Sequence, residues 1–373
     1  MHTLSSNVYI GLMSGTSLDG VDGVLVELPE DGTAMRMLAS AYTPFTEAFR
    51  HQAMALQQPG ENEIHREALL GVAIAESYAT CIAELMRAHP ALPVRAAGAH
   101  GQTIRHRPEL GYTRQTNNPA LLVELCGIDV IADFRSRDVA AGGQGAPLVP
   151  AFHRAVFGAA DECRVVVNIG GISNISILHA DGRTTGFDTG PGNVLMDAWV
   201  SLHQAKSYDD NGRWAGQGTV SDRLLEVLME DAFLHLAPPK STGRDLFHLD
   251  WLHAKLALVA PLSAVDVQAT LCVFTAATLA DAICRYATDA SAVYVCGGGA
   301  YNAVLMRYLG HQLQQRGCHA SVSSTAVLGV SPNHVEALAF AWLAQRFTLK
   351  LPGNLPEVTG AAGSRLLGAL YRA

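Results

Sequence analysis

The 373-residue sequence predicts an α/β fold made of two similar domains. At roughly 100 to 200 residues per domain, the length suggests two domains. One pattern, in which an apolar strand, a turn of small residues and a second apolar strand follow each other, occurs both at 9–28 and at 164–178. A strand, a glycine loop and a helix then follow over 292–313. Such alternation of strands and helices is typical of α/β proteins.

Composition limits the class of protein. Hydrophobic residues make up 49% of the chain and charged residues 16%, which is ample material for a core. The net charge of −8 argues against a nucleic-acid-binding protein, which would usually carry a basic face. No stretch approaches 18 uncharged apolar residues and the N-terminus lacks a basic, apolar leader, so neither a membrane span nor a signal peptide is expected. The seven scattered cysteines favour buried free thiols in a reducing cytoplasm.

The first hairpin carries a candidate phosphate-binding loop. Its glycines allow the backbone to approach a ligand, and its hydroxyl side chains are donors. Two aspartates beside the turn, Asp19 and Asp22, could hold a divalent cation directly or through water. An ordinary hairpin with a glycine and serine turn is equally consistent with this stretch alone. The candidate cofactor-binding residues are Gly15, Thr16, Ser17, Leu18, Asp19, Gly20, Val21 and Asp22.

Two further glycine turns follow strands in the second half. Gly170 and Gly171 stand about 155 residues after the first turn, in the same pattern, and suggest a duplicated architecture with one phosphate loop in each half. Gly297, Gly298 and Gly299 lie between a strand and a helix, which is a nucleotide-binding arrangement. It is not a Rossmann fingerprint, because Asn302 replaces the last glycine, and no P-loop motif occurs in the chain.

A polar segment after the predicted strand 128–133 is a candidate ligand site. Arg135, Asp138 and Gln144 lie in or beside a glycine-rich loop, at the place where α/β folds bind ligands. A solvated surface loop with salt bridges is the alternative. Nearby, His100 and His106 lack a third ligand at a recognisable spacing, so a metal site there is not favoured.

Asp188 is the candidate catalytic carboxylate. It lies in a glycine and proline turn before the predicted helix 194–203, where a side chain would be held in place and an anion could bind at the helix N-terminus. Either Asp188 or Asn193 could instead cap that helix, and Asn193 fits the cap position better. Glu336, in the first turn of the last predicted helix, is a candidate substrate ligand or a charge that stabilises the helix dipole. The other predicted helices are 62–89, 221–236, 265–286 and 335–347.

The joint occurrence of several motifs resembles the anhydro-N-acetylmuramic acid kinases of bacterial cell-wall recycling, within the actin, Hsp70 and sugar-kinase superfamily. The motifs run from about residue 9 to about 347 and cover nearly the whole chain. They are Gly11-Leu-Met-Ser-Gly-Thr-Ser-Leu-Asp-Gly-Val-Asp22, Gly98-Ala-His-Gly-Gln-Thr103, Asp133-Phe-Arg-Ser-Arg-Asp138, Gly142-Gly-Gln-Gly-Ala-Pro147, Asn168-Ile-Gly-Gly-Ile-Ser-Asn174, Phe187-Asp-Thr-Gly-Pro-Gly-Asn193, Lys240-Ser-Thr-Gly-Arg244 and Cys296-Gly-Gly-Gly-Ala-Tyr-Asn302.

The resemblance implies two actin-like domains with mixed sheets flanked by helices around a central cleft. It also implies that ATP, with Mg²⁺, water and 1,6-anhydro-N-acetylmuramic acid give ADP and N-acetylmuramic acid 6-phosphate. Asp188 would then be the general base, Asp19 and Asp22 would orient Mg²⁺, and the glycine loops would hold the nucleotide. The substrate ligands would be Arg135 on the lactyl carboxylate, with Asp138, Gln144 and Glu336 beside it.

Several alternatives and details stay open at this point. A kinase of the same fold could act on another sugar or acid, and an actin- or Hsp70-like nucleotide switch would bind a protein partner instead. Lys240 and Arg244 could contact a ligand or be surface charges. We expect an N-terminal domain over 1–140 and a C-terminal domain over 141–373, with the option that the final helix returns to the first. A cytoplasmic homodimer is expected, with no nucleic-acid or membrane partner.

Overall fold

A computed structural model of the chain describes residues 6–15, 18–30, 34–243 and 245–373. Its strands are β1 (Val8–Met13), β2 (Gly20–Glu27), β3 (Arg36–Pro44), β4 (Ala96–Ala99), β5 (Gln102–Arg107), β6 (Tyr112–Thr116), β7 (Val130–Ala132), β8 (Cys163–Ile169), β9 (Ile172–Leu178), β10 (Thr184–Pro191), β11 (Ala290–Cys296), β12 (Ser321–Ser324) and β13 (Ala369–Tyr371).

The helices are α1 (Glu47–Ala55), α2 (Glu63–Arg87), α3 (Pro119–Cys126), α4 (Ser136–Ala140), α5 (Val149–Phe157), α6 (Val194–Gln204), α7 (Asp222–Met229), α8 (Ala232–His235), α9 (Leu249–Leu256), α10 (Ala264–Tyr286), α11 (Ala303–Gln315), α12 (Val335–Thr348) and α13 (Pro356–Thr359).

The chain forms two compact units, Met1–Phe152 together with His334–Ala373, and His153–Asn333. We call them unit 1 and unit 2. Each contains a mixed sheet flanked by helices, so the predicted α/β class is confirmed. The domain boundary predicted at residue 140 and the central cleft implied by the resemblance stay predictions.

The two sheets share one strand order. In unit 1 the order is β13-β7-β4-β1-β2-β3, and in unit 2 it is β10-β9-β8-β11-β12. In each unit, three consecutive strands form antiparallel pairs: β1, β2 and β3 in unit 1, and β8, β9 and β10 in unit 2. The first of the three also pairs parallel with a later strand, which pairs parallel with one further strand: β4 and then β7 in unit 1, and β11 and then β12 in unit 2. Strands β1, β2, β3, β4 and β7 therefore correspond to β8, β9, β10, β11 and β12. The duplication predicted from the two hairpins is confirmed at the level of topology.

In unit 1, helix α12 packs against a glycine pair in the sheet. Alternate residues of β1, including Ile10 and Leu12, join the apolar cluster formed with α2. On the opposite face Gly11 pairs directly with Gly98 of β4. A Cβ at Gly11 would lie 1.9 Å from the Ala337 carbonyl oxygen, and one at Gly98 would lie 2.1 Å from that of Phe340. Only a surface without side chains lets the helix backbone approach this closely.

In unit 2, the core lies between the sheet and several helices, of which α10 is the most deeply buried. Sixteen of its residues are buried, and the apolar cluster joins it to β8, β9 and β11 and to α6 and α11. Both α10 and α2 are long and apolar enough, by length and composition, to cross a membrane. Within the most apolar stretch of α10, however, 89% of the residues are buried inside the fold, as in the core helix of a globular protein.

The helices at 62–89, 194–203, 265–286 and 335–347 are confirmed to within a few residues as α2, α6, α10 and α12. The single helix predicted over 221–236 is wrong, because the chain breaks there into α7 and α8. Asp231 begins α8, since its side chain accepts a hydrogen bond from the Phe233 N–H at 3.1 Å. The tail after Gly353 adds a strand to the sheet of unit 1, since β13 pairs antiparallel with β7.

We expect Gly11→Ala and Gly98→Ala each to lower the free energy of unfolding by about 1–3 kcal/mol or more, because the added methyl group would overlap helix backbone that cannot move independently. Gly310→Ala is the matched control. It lies within α11 with no atom within 4 Å of its Cβ position, so it should gain about 0.5–1 kcal/mol. Urea unfolding of the three variants measures this. Equal effects at all three positions would contradict the packing account.

Candidate active site

In unit 1, the ends of three parallel strands bring the predicted residues to one edge of the sheet. Leu12 of β1 pairs with Ala99 of β4, which pairs with Ala132 of β7. The chain beyond these residues forms the first turn, the segment starting at His100, and the segment containing Arg135. Because parallel strands end together, these three segments lie at the same edge, where α/β proteins bind ligands.

The first turn is held by its own hydrogen bonds. Ser14 is buried and its Oγ donates to Oε1 of Gln102. The Leu18 N–H donates to the Gly15 carbonyl at 3.3 Å, and the Leu18 side chain is buried in the core. Gly20, Val21 and Asp22 belong to β2 and pair with β3. Thr16 and Ser17, which are predicted cofactor ligands, lie outside the described residues.

Asp19, Asp22 and Glu336 form an acidic group beside this turn. Asp22 pairs with Met13 across the hairpin, and Glu336 lies in the first turn of α12. Burial raises the pKa of Asp22 to about 7, and the charges of Asp19 and Glu336 add to the shift. Burial also raises the pKa of Glu336, an effect that Arg135 opposes and Asp19 reinforces. The structure thus brings the predicted metal ligands Asp19 and Asp22 together with Glu336.

Carboxylate oxygens are the donors that Mg²⁺ prefers, and Mg²⁺ usually retains several waters. The acidic group fits a cation held partly through water. Among the described residues, one group of three possible metal ligands has its ligand atoms within 4.8 Å of one another. This group is Cys163, His179 and Asp289, and it is separate from the acidic group. Cys163 is the first residue of β8, at the opposite end of that strand from Gly170.

Arg135 is held by two groups of unit 1. Its Nε and Nη2 donate to Nε2 of His100 at 3.1 and 2.9 Å, and its Nη1 donates to the Gly145 carbonyl at 2.9 Å. Burial lowers the pKa of Arg135 to about 10, while Glu336 and Asp138 act in the opposite direction. The guanidinium therefore stays charged at neutral pH. Burial, followed by the charge of Arg135, lowers the pKa of His100 well below its usual value, so the imidazole is neutral and can accept.

Asp138 is fully buried, and its carboxylate bonds to its own chain. One oxygen accepts from Nδ2 of Asn354 at 2.7 Å and from Oγ1 of Thr359 at 2.8 Å. The other accepts from the Gly145 N–H at 2.8 Å. Gln144 is exposed, and its backbone N–H donates to the Thr359 carbonyl at 2.8 Å. Asp138 thus fixes the glycine-rich loop that carries the Gly145 carbonyl.

In unit 2, the second hairpin and the later glycine loop lie at one sheet edge, because β8 and β11 run parallel. Asn168 of β8 pairs with Cys296 of β11, directly before the two turns. Gly297 has φ +77°, and a Cβ there would lie 2.5 Å from Oδ1 of Asn168. A Cβ at Gly299 would lie 2.3 Å from Cγ2 of Ile169. The glycines let the two turns pack together.

The carbonyls of Gly170 and Gly171 accept hydrogen bonds from the start of α6. The Asn193 N–H donates to Gly170 at 2.8 Å, and the Val194 N–H donates to Gly171 at 3.1 Å. These two N–H groups are therefore already used within the chain, and the anion site at this helix N-terminus stays a prediction. Asn193 lies at the predicted N-cap position of α6, but its side chain donates to the Ile169 carbonyl at 3.2 Å and makes no capping bond.

Asp188 lies within strand β10, not in the turn that the sequence predicts. It pairs with Asn174 of β9, and the register shifts immediately after it. Its Oδ2 accepts from the Thr242 N–H at 3.0 Å. Burial raises the pKa of Asp188 to about 6, although the Thr242 N–H and the charge of Lys240 act in the opposite direction. The carboxylate is fixed, partly buried and mostly ionised at neutral pH, which suits a general base.

Lys240 supports this strand. Its backbone carbonyl accepts from the Asp188 N–H at 3.2 Å, and its Nζ donates to the carbonyls of Phe233 and Leu234 at 3.1 and 3.0 Å. The Nζ also lies 4.7 Å from the centre of the Phe233 ring. Arg244, the other basic residue of this segment, lies outside the described residues.

Sequence reasoning missed four groups that hold the predicted residues: His100, Gln102, the Thr242 backbone N–H, and the pair Asn354 and Thr359. The sequence pattern offers His100 only as a metal ligand. His100 and Gln102 both lie in the motif Gly98–Thr103, which is one of the motifs that carry the family resemblance.

The family model for anhydro-N-acetylmuramic acid kinase matches residues 7–373. Curated proteins of that name are 57% identical in Burkholderia thailandensis, over 377 residues and 98% of each chain, and 58% identical in Burkholderia orbicola, over 367 residues, 98% of this chain and 96% of the relative. A solved ROK-family glucokinase from Streptomyces griseus, in complex with glucose and AMPPNP, gives a TM-score of 0.43 at 15% identity, covering 91% of this chain and 99% of that chain. That likeness is too low to support an inference. The family match and the curated relatives establish that this chain belongs to the anhydro-N-acetylmuramic acid kinase family.

Proposed function

We propose that this chain is a kinase that uses ATP and water to convert 1,6-anhydro-N-acetylmuramic acid into N-acetylmuramic acid 6-phosphate and ADP, in the recycling of bacterial cell wall. Curated relatives at 57% identity over 98% of the chain carry the name of this activity. The observation in the structure that best supports the chemistry is the carboxylate of Asp188. This residue lies in the sheet that contains the second hairpin, and the Thr242 backbone N–H donates to its carboxylate.

In the proposed mechanism, Asp188 takes a proton from a water molecule as that water attacks the anomeric carbon. The bond between this carbon and the bridging O6 breaks, and the electron pair stays on O6. O6 then attacks the γ-phosphorus, and the bond to the oxygen of ADP breaks. A carboxylate suits the ring-opening step because its charge also stabilises the oxocarbenium-like centre that develops at the anomeric carbon.

The nucleotide would be held by backbone and not by large side chains. Phosphoryl transfer depends mainly on positioning and charge neutralisation. We assign the phosphates to the turns at Gly15 and at Gly170 and Gly171, and the adenosine to the loop at Gly297–Gly299. Leu18 and Gly20 shape the first turn but donate their own N–H groups within it.

Mg²⁺ fits the acidic group formed by Asp19, Asp22 and Glu336. When bound, the ion would neutralise charge on the phosphates. Asp19 and Asp22 would hold it, through water where they do not contact it directly. Without a cation, the charges of Asp19 and Glu336 add to the burial that raises the pKa of Asp22, so a bound cation would stabilise this group.

We assign the lactyl carboxylate of the sugar to Arg135, with Gln144 and Glu336 near the hydroxyl and amide groups. Asp138 is also among the sugar ligands that the sequence predicts. Because its carboxylate is buried and bonded to three groups of its own chain, we propose that it instead holds the loop around Gly145. We also retain the expected cytoplasmic homodimer: ATP is a cytoplasmic substrate, and two-fold dimers are the commonest soluble oligomers.

Asp188→Asn should lower kcat by about 10²- to 10⁴-fold, because the amide can still accept from the Thr242 N–H but cannot take a proton. Calorimetry with an ATP analogue should give an unchanged affinity. The matched control is Asp210→Asn, an exposed aspartate paired with Arg213 in the same unit, which should keep full activity. ADP release with the anhydro sugar measures both. Activity of Asp188→Asn within threefold of the parent would remove Asp188 from this role.

The pH profile of kcat/KM for the sugar should fall on the acid side with an apparent pKa of about 6. The base works only when ionised, and burial raises its pKa, so activity is lost as the pH falls through this value. Rates at saturating ATP between pH 5 and 8 test this. A profile that stays flat down to pH 5 would contradict it.

Asp22→Asn should raise the Mg²⁺ concentration needed for half-maximal rate by about 10- to 100-fold, the usual cost of losing a group that orients a metal through water. The rate at fixed ATP is measured as Mg²⁺ is varied. Glu47→Gln, an exposed residue of α1, is the control and should leave the requirement unchanged. An equal requirement in Asp22→Asn and the parent would place Mg²⁺ elsewhere.

A further inference from the structure

The turn His100-Gly101-Gln102, which leads from β4 into the first residue of β5, is buried at the sheet edge of unit 1 that carries the predicted ligand residues, but it has no role in the proposed mechanism. His100 is 4% exposed and Gln102 is 1% exposed. Two buried polar side chains in succession cost free energy unless they are hydrogen-bonded, so their partners indicate why they are there.

The backbone of this turn is fixed at each residue. The His100 N–H donates to the Leu12 carbonyl of β1 at 3.1 Å, and the Gly101 N–H donates to the hydroxyl of the buried Tyr78 at 2.9 Å. Gly101 has φ +84°, and a Cβ there would lie 2.8 Å from the Thr116 carbonyl oxygen. Only glycine fits this position, and the flanking side chains therefore start from a rigid base.

His100 holds the guanidinium of Arg135. Its ring lies on Phe340 of α12, with ring centres 4.6 Å apart, and its Nε2 accepts from both Nε and Nη2 of Arg135. With the bond to the Gly145 carbonyl, three of the five N–H groups of Arg135 are used. Within the part of the chain that the structure describes, one N–H on Nη1 and one on Nη2 remain, which is the number that a carboxylate accepts in a two-point contact.

Gln102 holds the first turn on the other side. Its Oε1 accepts from the Ser14 hydroxyl, and its Nε2 donates to the Gly15 carbonyl at 3.3 Å. Ser14 is itself buried. The Gln102 amide thus holds the side chain of Ser14, which directly precedes the predicted phosphate loop, and the carbonyl of Gly15, which is the first residue of that loop.

We propose that His100 and Gln102 are positioning residues that set the two ligand-binding groups of unit 1 from one rigid turn. His100 orients Arg135 so that its two remaining N–H groups meet the carboxylate of the sugar. Gln102 holds the backbone at Ser14 and Gly15 in the shape that binds phosphate. This proposal rests on the proposed function, since it takes Arg135 as the carboxylate ligand and the first turn as a phosphate ligand.

The test measures the affinity for each ligand separately. His100→Leu should weaken binding of the anhydro sugar by about 10- to 100-fold, the usual effect of losing hydrogen bonds to a charged group, and leave the affinity for a non-hydrolysable ATP analogue within twofold. Gln102→Leu should do the reverse. Calorimetry gives both affinities without turnover, and KM values for sugar and ATP should follow them. His100→Gln, whose carbonyl can still accept from Arg135, should recover most of the sugar affinity.

A double-mutant cycle tests whether His100 acts through Arg135. If it does, adding His100→Leu to Arg135→Gln should change sugar affinity by less than about twofold, although each change alone has a large effect. In each single variant, the unchanged affinity for the other ligand shows that the protein is folded. Equal loss of both affinities in both variants, or additive effects in the cycle, would overturn the proposal.

These outcomes are distinct from failure of the proposed function. If the parent protein binds the anhydro sugar and the variants separate as expected, the positioning account stands even where no sugar phosphate forms. If the parent forms the sugar phosphate and the variants do not separate, the proposed function stands and the positioning account fails. If the parent binds neither ligand, both are wrong.

Discussion

The close contact between α12 and the paired glycines Gly11 and Gly98 is the constraint on which unit 1 depends. A helix can lie on a sheet at this distance only where two neighbouring strands present no side chain. The contact fixes the start of α12, and with it Glu336, close to Asp19 in the first turn and to Asp22 in β2. It also brings the ring of Phe340 into contact with the rings of His100 and Phe134, so that the segment containing Arg135 packs against α12.

The same strand order in the two units produces different chemistry because different residues follow equivalent strands. After β1 and its parallel neighbours come a serine and glycine turn, a histidine and an arginine, which suit anions and a carboxylate. After β8 and β11 come two glycine turns that pack on each other, and the third strand of the meander carries Asp188. A fold that places strand ends together thus needs few specialised residues, and function depends on those few.

Much of the secondary structure could be predicted from the sequence, because hairpins and long helices produce local sequence patterns. Helices α2, α10 and α12 follow from helical periodicity, and the two glycine hairpins follow from apolar runs joined by small residues. Arg135 is a candidate because it lies directly after an apolar strand. Asp188 is a candidate because of a glycine and proline turn, although the structure places it within β10. Contacts distant in sequence could not be predicted in this way. The bonds from Asn354 and Thr359 to Asp138 span more than 200 residues, and nothing local indicates that Asp138 is buried. The loss of Asn193 as a cap has a similar cause, since the Ile169 carbonyl competes for its side chain.

The central claim is that one enzyme both opens the anhydro ring with water and phosphorylates O6. The most direct test is the reaction of the purified protein with ATP and 1,6-anhydro-N-acetylmuramic acid in water labelled with heavy oxygen. The account predicts one ADP for each N-acetylmuramic acid 6-phosphate, with a single labelled oxygen on the sugar at the anomeric carbon and none on the phosphate. Label in free phosphate, with the anhydro sugar recovered unchanged, would show simple ATP hydrolysis and would contradict the account.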